Sequence, residues 1–190
     1  MPVSVIPFNM PEPMEIPAHI TAMLRELPKD KAVERAMELL IQIDVAETMV
    51  YERIDERGVL ELGHVLSSDG RKAGELRAHL EEEESVGRPF SEAGESLAGK
   101  AFASNSALLI LGQIQSSEEV GLPAGLTDFL LAGAGEGNIG FIYVLPFSGQ
   151  DRRPLGALTL LRPLADGPLN HEQPDIAEGL RRELSSILAS

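Results

Sequence analysis

Apolar residues recur at helical spacing near both ends of the chain and at strand-like spacing between them. Pro17 suits a first helical turn, and Ile20, Met23, Leu24 and Leu27 follow at i, i+3, i+4 and i+7, until Pro28 stops the pattern. A second stripe, Val33, Ala36, Met37, Leu40 and Ile41, predicts a helix from about Lys31 to Asp44. Glu47–Ile54 and Val59–Leu66 then read as strands joined by the turn Asp55-Glu56-Arg57-Gly58. In the second of them Leu60, Leu62, His64 and Leu66 are expected on one face, opposite Glu61, Gly63 and Val65. Arg71–Glu84 is charged and helical, Gly87–Gly94 is loop, Glu95–Ala103 is a short helix and Ala107–Leu111 a buried strand. Residues 116–137 are the least regular, with a possible helix over Pro123–Leu131 and glycines at 133, 135 and 137. Asn138–Phe147 and Leu155–Arg162 are the strongest strands, apolar on both faces as in a covered central strand, and they flank a polar hairpin loop. Pro174–Leu188 closes the chain with a stripe of Ile176, Leu180, Leu184, Ile187 and Leu188.

Hairpin-linked strands imply an antiparallel sheet, and amphipathic helices must bury their stripes on one of its faces, so the fold class expected is α+β. Residues 1–16 read as an irregular, Pro- and Met-rich arm. The division expected is an arm plus extra amphipathic helix over 1–30, then one domain over 31–190. Met1–Pro17 lacks the basic start of a secretory signal, and no apolar run reaches the roughly 18 residues a membrane span needs, so a cytoplasmic protein without a membrane partner is expected.

Charge and cysteine content narrow the chemistry further. With 16 basic against 30 acidic residues the formal charge is -14, which repels phosphate backbones. Eight aromatic side chains, six Phe and two Tyr, leave little for base stacking, so no nucleic-acid partner is expected. The absence of cysteine removes disulfides, thiolate nucleophiles, Cys-based metal sites and thioether-linked cofactors.

From Ala32 to Ala189 the chain resembles the GAF domain family. Val33–Ile43 leads into Val45-Ala46-Glu47-Thr48-Met49-Val50-Tyr51, similar to that family's passage from helix to first strand. Gly94-Glu95-Ser96-Leu97-Ala98-Gly99-Lys100-Ala101-Phe102-Ala103 is similar to its G-x-G-L-x-G-x-V/A-A helix, with Ser96 where the middle glycine often sits. Tyr143–Phe147 followed by Leu155–Leu160 is similar to its hydrophobic-P-L … G-x-L-x-L hairpin, and Leu169–Ala177 to the F-S-x-E-E-x-x-L-L opening of its last helix. No single match is specific, but all are colinear. The resemblance implies a GAF-like (PAS-like) six-stranded antiparallel sheet with the terminal helices on one face. Short helices and loops on the other often enclose a ligand.

Several motifs invite sharper readings. Gly94-x4-Gly99-Lys100 lacks the preceding buried strand and the hydroxyl residue of a phosphate loop (Ala101 stands there), and Glu95 would face the phosphates; it reads as a helix start. His64 fits an interior or edge histidine more readily than a ligand contact, and haem is not expected. His79 with Glu82 or Glu83 is too sparse for a metal, His171 lies in a cap region, and Glu81–Glu84 reads as a solvated run, so no metal site is expected. Neither a Ser/His/Asp pattern nor a Cys/His pair exists, so no enzyme is expected. Covalent bilin and sulfoxide-reductase chemistry, both known among GAF-like proteins, need the missing cysteine.

The candidate ligand residues are Ser104, Asn105 and Gln113 around the Ala107–Leu111 strand, with Phe129, Phe141, Tyr143 and Thr159 on the same sheet face or in loops over it. Phe141 and Tyr143 fit core filling as well. The function expected is a regulatory, sensory domain that binds an unidentified small molecule and signals through its terminal helices. Its expected partners are a second copy of itself, through those helices, and a separate effector protein. The alternative is a structural dimerisation or protein-partner module without a ligand.

Overall fold

A computed structural model describes residues 4–8, 15–82, 101–102, 107–111, 141–163, 166–167, 169–170 and 172–190. In chain order the elements are β1 (Ser4–Phe8), α1 (Ala18–Glu26), α2 (Lys29–Gln42), β2 (Thr48–Ile54), β3 (Leu60–Ser67), α3 (Gly70–Glu82), β4 (Ala107–Leu111), β5 (Phe141–Ser148), β6 (Pro154–Arg162) and α4 (Glu172–Ala189). The sheet runs β1-β4-β5-β6-β2-β3, antiparallel at every pairing. Its four-stranded part β5-β6-β2-β3 carries the described core, and β4 and β1 extend it beyond β5.

Local chemistry sets the helix boundaries. Pro17 and Pro28 cap α1 and α2, and Leu27, preceding a proline, is held extended at ψ 150°, which separates the two helices. The second helix thus starts two residues before the expected Lys31. It ends in a Schellman turn: Asp44 takes φ 57°, its amide donates to Ile41 O, and the Val45 amide donates to Leu40 O.

One sheet face packs against α1, α2 and α4. Met49, Tyr51, Tyr143, Leu145, Phe147, Leu158 and Leu160 meet Leu24, Val33, Ala36, Met37, Leu40, Ala177, Leu180 and Leu184 in one buried cluster. Leu24 of α1 is fully buried, and Ile20, Met23 and Leu27 pack on the same cluster, so the extra helix spends its apolar stripe within its own chain. The arm expected to be irregular forms a strand over Ser4–Phe8, in register with β4 from Ser4↔Leu111 to Phe8↔Ala107. Its run Val-Ile-Pro-Phe can pair along a sheet edge, where a proline is tolerated.

The expected alternation in β3 is overturned by a bulge. Tyr51 pairs His64 but Glu52 pairs Leu62, so Gly63 is extra and the side-chain parity flips across it. His64 and Leu66 therefore lie on the helix-covered face with Tyr51 and Met49, and Leu60 and Leu62 on the other. Glycine is required there: a Cβ on Gly63 would sit 2.5 Å from the Tyr51 ring, and one on Gly156 would sit 2.6 Å from Glu52 O. Among the described residues no helix is long and apolar enough to cross a membrane.

Candidate functional site

The second sheet face carries buried polar side chains among aliphatic ones. Thr48 and Val50 of β2, Ile142 and Val144 of β5, and Thr159 and Leu161 of β6 are buried but stand outside the helix-side cluster. Cross-strand pairs Val50↔Thr159, Thr159↔Val144 and Thr48↔Leu161 place both threonines on this face as diagonal neighbours. They are 4% and 5% exposed, so their hydroxyls are polar groups set in an apolar surface. Thr48 Oγ1 lies 3.0 Å from Ser67 Oγ. Helix α3 packs against β3 and buries Leu76 and Leu80, covering the β3 end of this face. Lys72 Nζ ties α3 to Glu47 Oε1 at 2.6 Å, and that carboxylate raises the lysine pKa, chiefly through the hydrogen bond.

Of the seven candidate ligand residues, the three described ones do not share one face. Phe141 and Tyr143 point into the helix-side core, where burial raises the Tyr143 pKa and the Leu169 amide donates to its hydroxyl at 3.4 Å. A period of two carries Phe141, Tyr143 and Leu145 to the same side, and their partners Arg162, Leu160 and Leu158 follow that parity. Thr159 faces the other way, so the expectation of a shared face is corrected for these three. Ser104, Asn105, Gln113 and Phe129 lie outside the described residues, as do His171 and the segment Gly94–Lys100. His64 has a structural environment: its ring stacks on Tyr51 with centroids 6.1 Å apart, and Nε2–H donates to Asp30 O at 3.0 Å.

On the helix side, a junction of polar groups joins the end of β6 to two helices. Arg162 is 7% exposed and donates to Asp44 O, to Gly167 O at 2.7 Å and to Asp166 O at 2.9 Å. Gln173 Nε2 donates to Asp44 O at 2.9 Å and to Ile43 O at 3.1 Å. Asn170 caps α4 by accepting the Glu172 and Gln173 amides, and Gln173 Oε1 accepts the Asn170 amide in return, a reciprocal capping box. Thus one strand end, the C-terminus of α2 and the N-terminus of α4 share a single network built around the buried side chains of Arg162 and Gln173. Further along α4, Arg181 makes a two-pronged pair with Glu178 at 2.6 Å and donates to Pro146 O of β5 at 3.1 Å. At the outer layer Arg25 of α1 pairs with Glu183 at 2.5 Å.

Neither Arg162 nor Gln173 was singled out by sequence. The spacing Asn170-x-x-Gln173 is a readable capping signal, and an arginine closing the apolar run Leu158–Leu161 is a readable anomaly, but the carbonyls that Arg162 meets are distant in the chain.

No family model and no curated protein matches the chain. Solved structures do. The GAF domain/HD domain protein from Geobacter sulfurreducens superposes with a TM-score of 0.62 at 14% identity, over 89% of this chain and 95% of that one. The GAF domain of a phosphoenolpyruvate-protein phosphotransferase from Coxiella burnetii gives 0.60 at 16% identity, over 90% and 89%. Free methionine-R-sulfoxide reductase from Neisseria meningitidis, in complex with its substrate, gives 0.53 at 14% identity, over 90% and 81%. The fold is GAF-like.

Proposed function

We propose that this chain is a regulatory, sensory domain that binds a small molecule against the sheet face bearing Thr48 and Thr159 and passes the event to its terminal helices. The observation that carries this reading is the Arg162 junction. Strand β6 presents Thr159 and Leu161 to the candidate site and, one residue on, Arg162 to the helix side. A shift of β6 on ligand binding therefore bears directly on the carbonyl that closes α2 and on the cap that opens α4. A ligand biases such a joint only by preferring one of its two arrangements, and packed cores switch between discrete arrangements rather than deforming continuously.

The occurrence of GAF domains in a phosphoenolpyruvate-protein phosphotransferase and in a GAF domain/HD domain protein supports a regulatory role. The output would pass to a separate effector protein, with two copies meeting through α2 and α4. The rival reading, a dimerisation module without a ligand, has less support where the extra helix α1 packs its apolar stripe on its own core.

The test is native mass spectrometry of the purified chain for co-purified molecules, followed by thermal-shift screening of metabolites. The expected result is a ligand that raises Tm for the native chain and loses that effect in Thr159→Val. A bare mass together with no stabiliser across the screen would overturn ligand sensing.

A further inference from the structure

One turn geometry occurs twice in this chain with different residues at its critical position. Between β2 and β3 the Asp55 amide donates to Val59 O at 2.9 Å and the Gly58 amide to Asp55 O at 3.0 Å. Between β5 and β6 the Gly149 amide donates to Arg153 O at 2.9 Å and the Arg152 amide to Gly149 O at 3.0 Å. Each is a three-residue hairpin loop whose last residue must be left-handed. That residue is Gly58 at φ 78° in the first and Arg152 at φ 62° in the second. Glycine takes this conformation without strain and arginine does not, so the second hairpin holds a long cation where the turn favours none.

The arginines also differ in what they touch. Arg57 bonds Asp55 Oδ2 at 2.8 Å across its turn. Gly149 occupies the corresponding position of the second turn and offers no carboxylate, while Asp151 spends Oδ1 on the Arg153 amide at 2.9 Å. Among the described Lys and Arg side chains, Arg152 and Arg153 alone lack a hydrogen-bond or ion-pair partner; every other one has it. Nor are they needed at the carbonyl end of α4. A Cβ on Gly149 would lie 3.9 Å from Ala189 Cβ, which places the tip beside that end, yet Lys29 Nζ is what bonds Leu188 O, at 3.1 Å.

We propose that the Arg152–Arg153 tip is a docking element for carboxylates of a second copy of this chain. The chain has 30 acidic residues against 16 basic, and among the described residues the cations left over are this tip, facing a surplus of carboxylates. Glu26, exposed on the last turn of α1, is one such carboxylate close in sequence to the Lys29 that holds Leu188. A two-fold contact makes each arginine–carboxylate pair twice. A phosphate polymer would meet the repulsion of the whole chain. Between two copies near physiological salt, the Debye length of about 8 Å screens most of the net charge while contact pairs persist. The tip requires no ligand on the threonine face, so this contact and the ligand-binding reading stand or fall separately.

The test is sedimentation equilibrium of the full chain in about 0.15 M salt, comparing wild type, Arg152→Gly with Arg153→Gln, and the charge-matched control Arg57→Gln with Arg71→Gln. The tip variant is expected to weaken self-association about tenfold, from pairs lost twice over, and the control to leave it unchanged. Arg152→Gly alone should raise Tm by roughly 2–4 °C by relieving the left-handed arginine, which keeps misfolding from mimicking lost association. Equal association constants for wild type and tip variant, a wild type that stays monomeric at every concentration reached, or equal weakening in the control would each overturn the proposal.

Discussion

The two faces of the sheet are built from the same strands but by different rules. The helix-side face interlocks three helices with Met49, Tyr51, Leu145, Phe147, Leu158 and Leu160, and its polar groups are consumed in bonds that join elements to one another. The face under α3 alternates aliphatic residues with Thr48 and Thr159. A hydroxyl costs more than a methyl in an apolar surface unless something bonds it, so on the proposed reading the threonines place specificity on the face under α3. On the proposed reading the helix side holds and relays, while the other side recognises.

The largest expected effect tests whether α1 belongs to the cohesive face. Leu24→Ala should cost about 4 kcal/mol in a urea titration, as for a fully buried leucine that leaves a cavity. A loss below about 1 kcal/mol, the level of a surface change, would show α1 to be an accessory and break the contrast. Arg162→Met comes next, at about 3 kcal/mol, because it strands the Gly167 and Asp166 carbonyls and removes one of two donors to Asp44 O. Its distinctive readout is hydrogen exchange. Protection should fall at the C-terminus of α2 and the N-terminus of α4 together, and a fall at only one would sever the proposed joint.

Burial on the helix side also leaves a pH signature. Tyr51 is enclosed by Gly63, Gly156, His64 and Phe147, and burial, with a smaller push from Asp30, raises its pKa from the ordinary 10 to about 12. The unfolded chain loses this proton first, so stability is intact below pH 10 and falls as pH rises from 10 towards 12. At about 1.4 kcal/mol per unit the loss reaches roughly 2–3 kcal/mol. Tyr51→Phe should flatten that part of the alkaline unfolding curve, and an unchanged slope would mean the ring is less enclosed than the packing shows.

The helix side was legible in sequence because its signals are local. Stripes at 3.6-residue spacing mark α1, α2 and α4, and two apolar runs mark β5 and β6. What escaped depends on distant partners. The bulge at Gly63 is set by the Tyr51 ring across the strand pair, and it moves His64 off the face assigned by simple alternation. Strand β1 forms because β4, about a hundred residues away, offers its edge, and a Pro-containing stretch carries no strand signal of its own. For the candidate site, Thr159 was found as a polar residue in an apolar strand. Thr48 was passed over because its partners Leu161 and Ser67 come from other strands.

The smallest expected effect bears most directly on function. Thr159→Val keeps the side-chain shape and the β-branched fit to a central strand while removing the hydroxyl from the α3 side. Because no part of the helix-side network involves Thr159, stability should change by less than about 1 kcal/mol, and in either direction. Binding is a separate matter. A site that bonds a ligand group through this hydroxyl leaves that group unpaired in the variant, which costs about 1–3 kcal/mol, or roughly tenfold or more in affinity. Isothermal titration of wild type and variant with whatever molecule the native chain carries separates the two quantities. A variant that loses stability but not affinity would assign Thr159 to cohesion, and the division of labour between the faces would no longer hold.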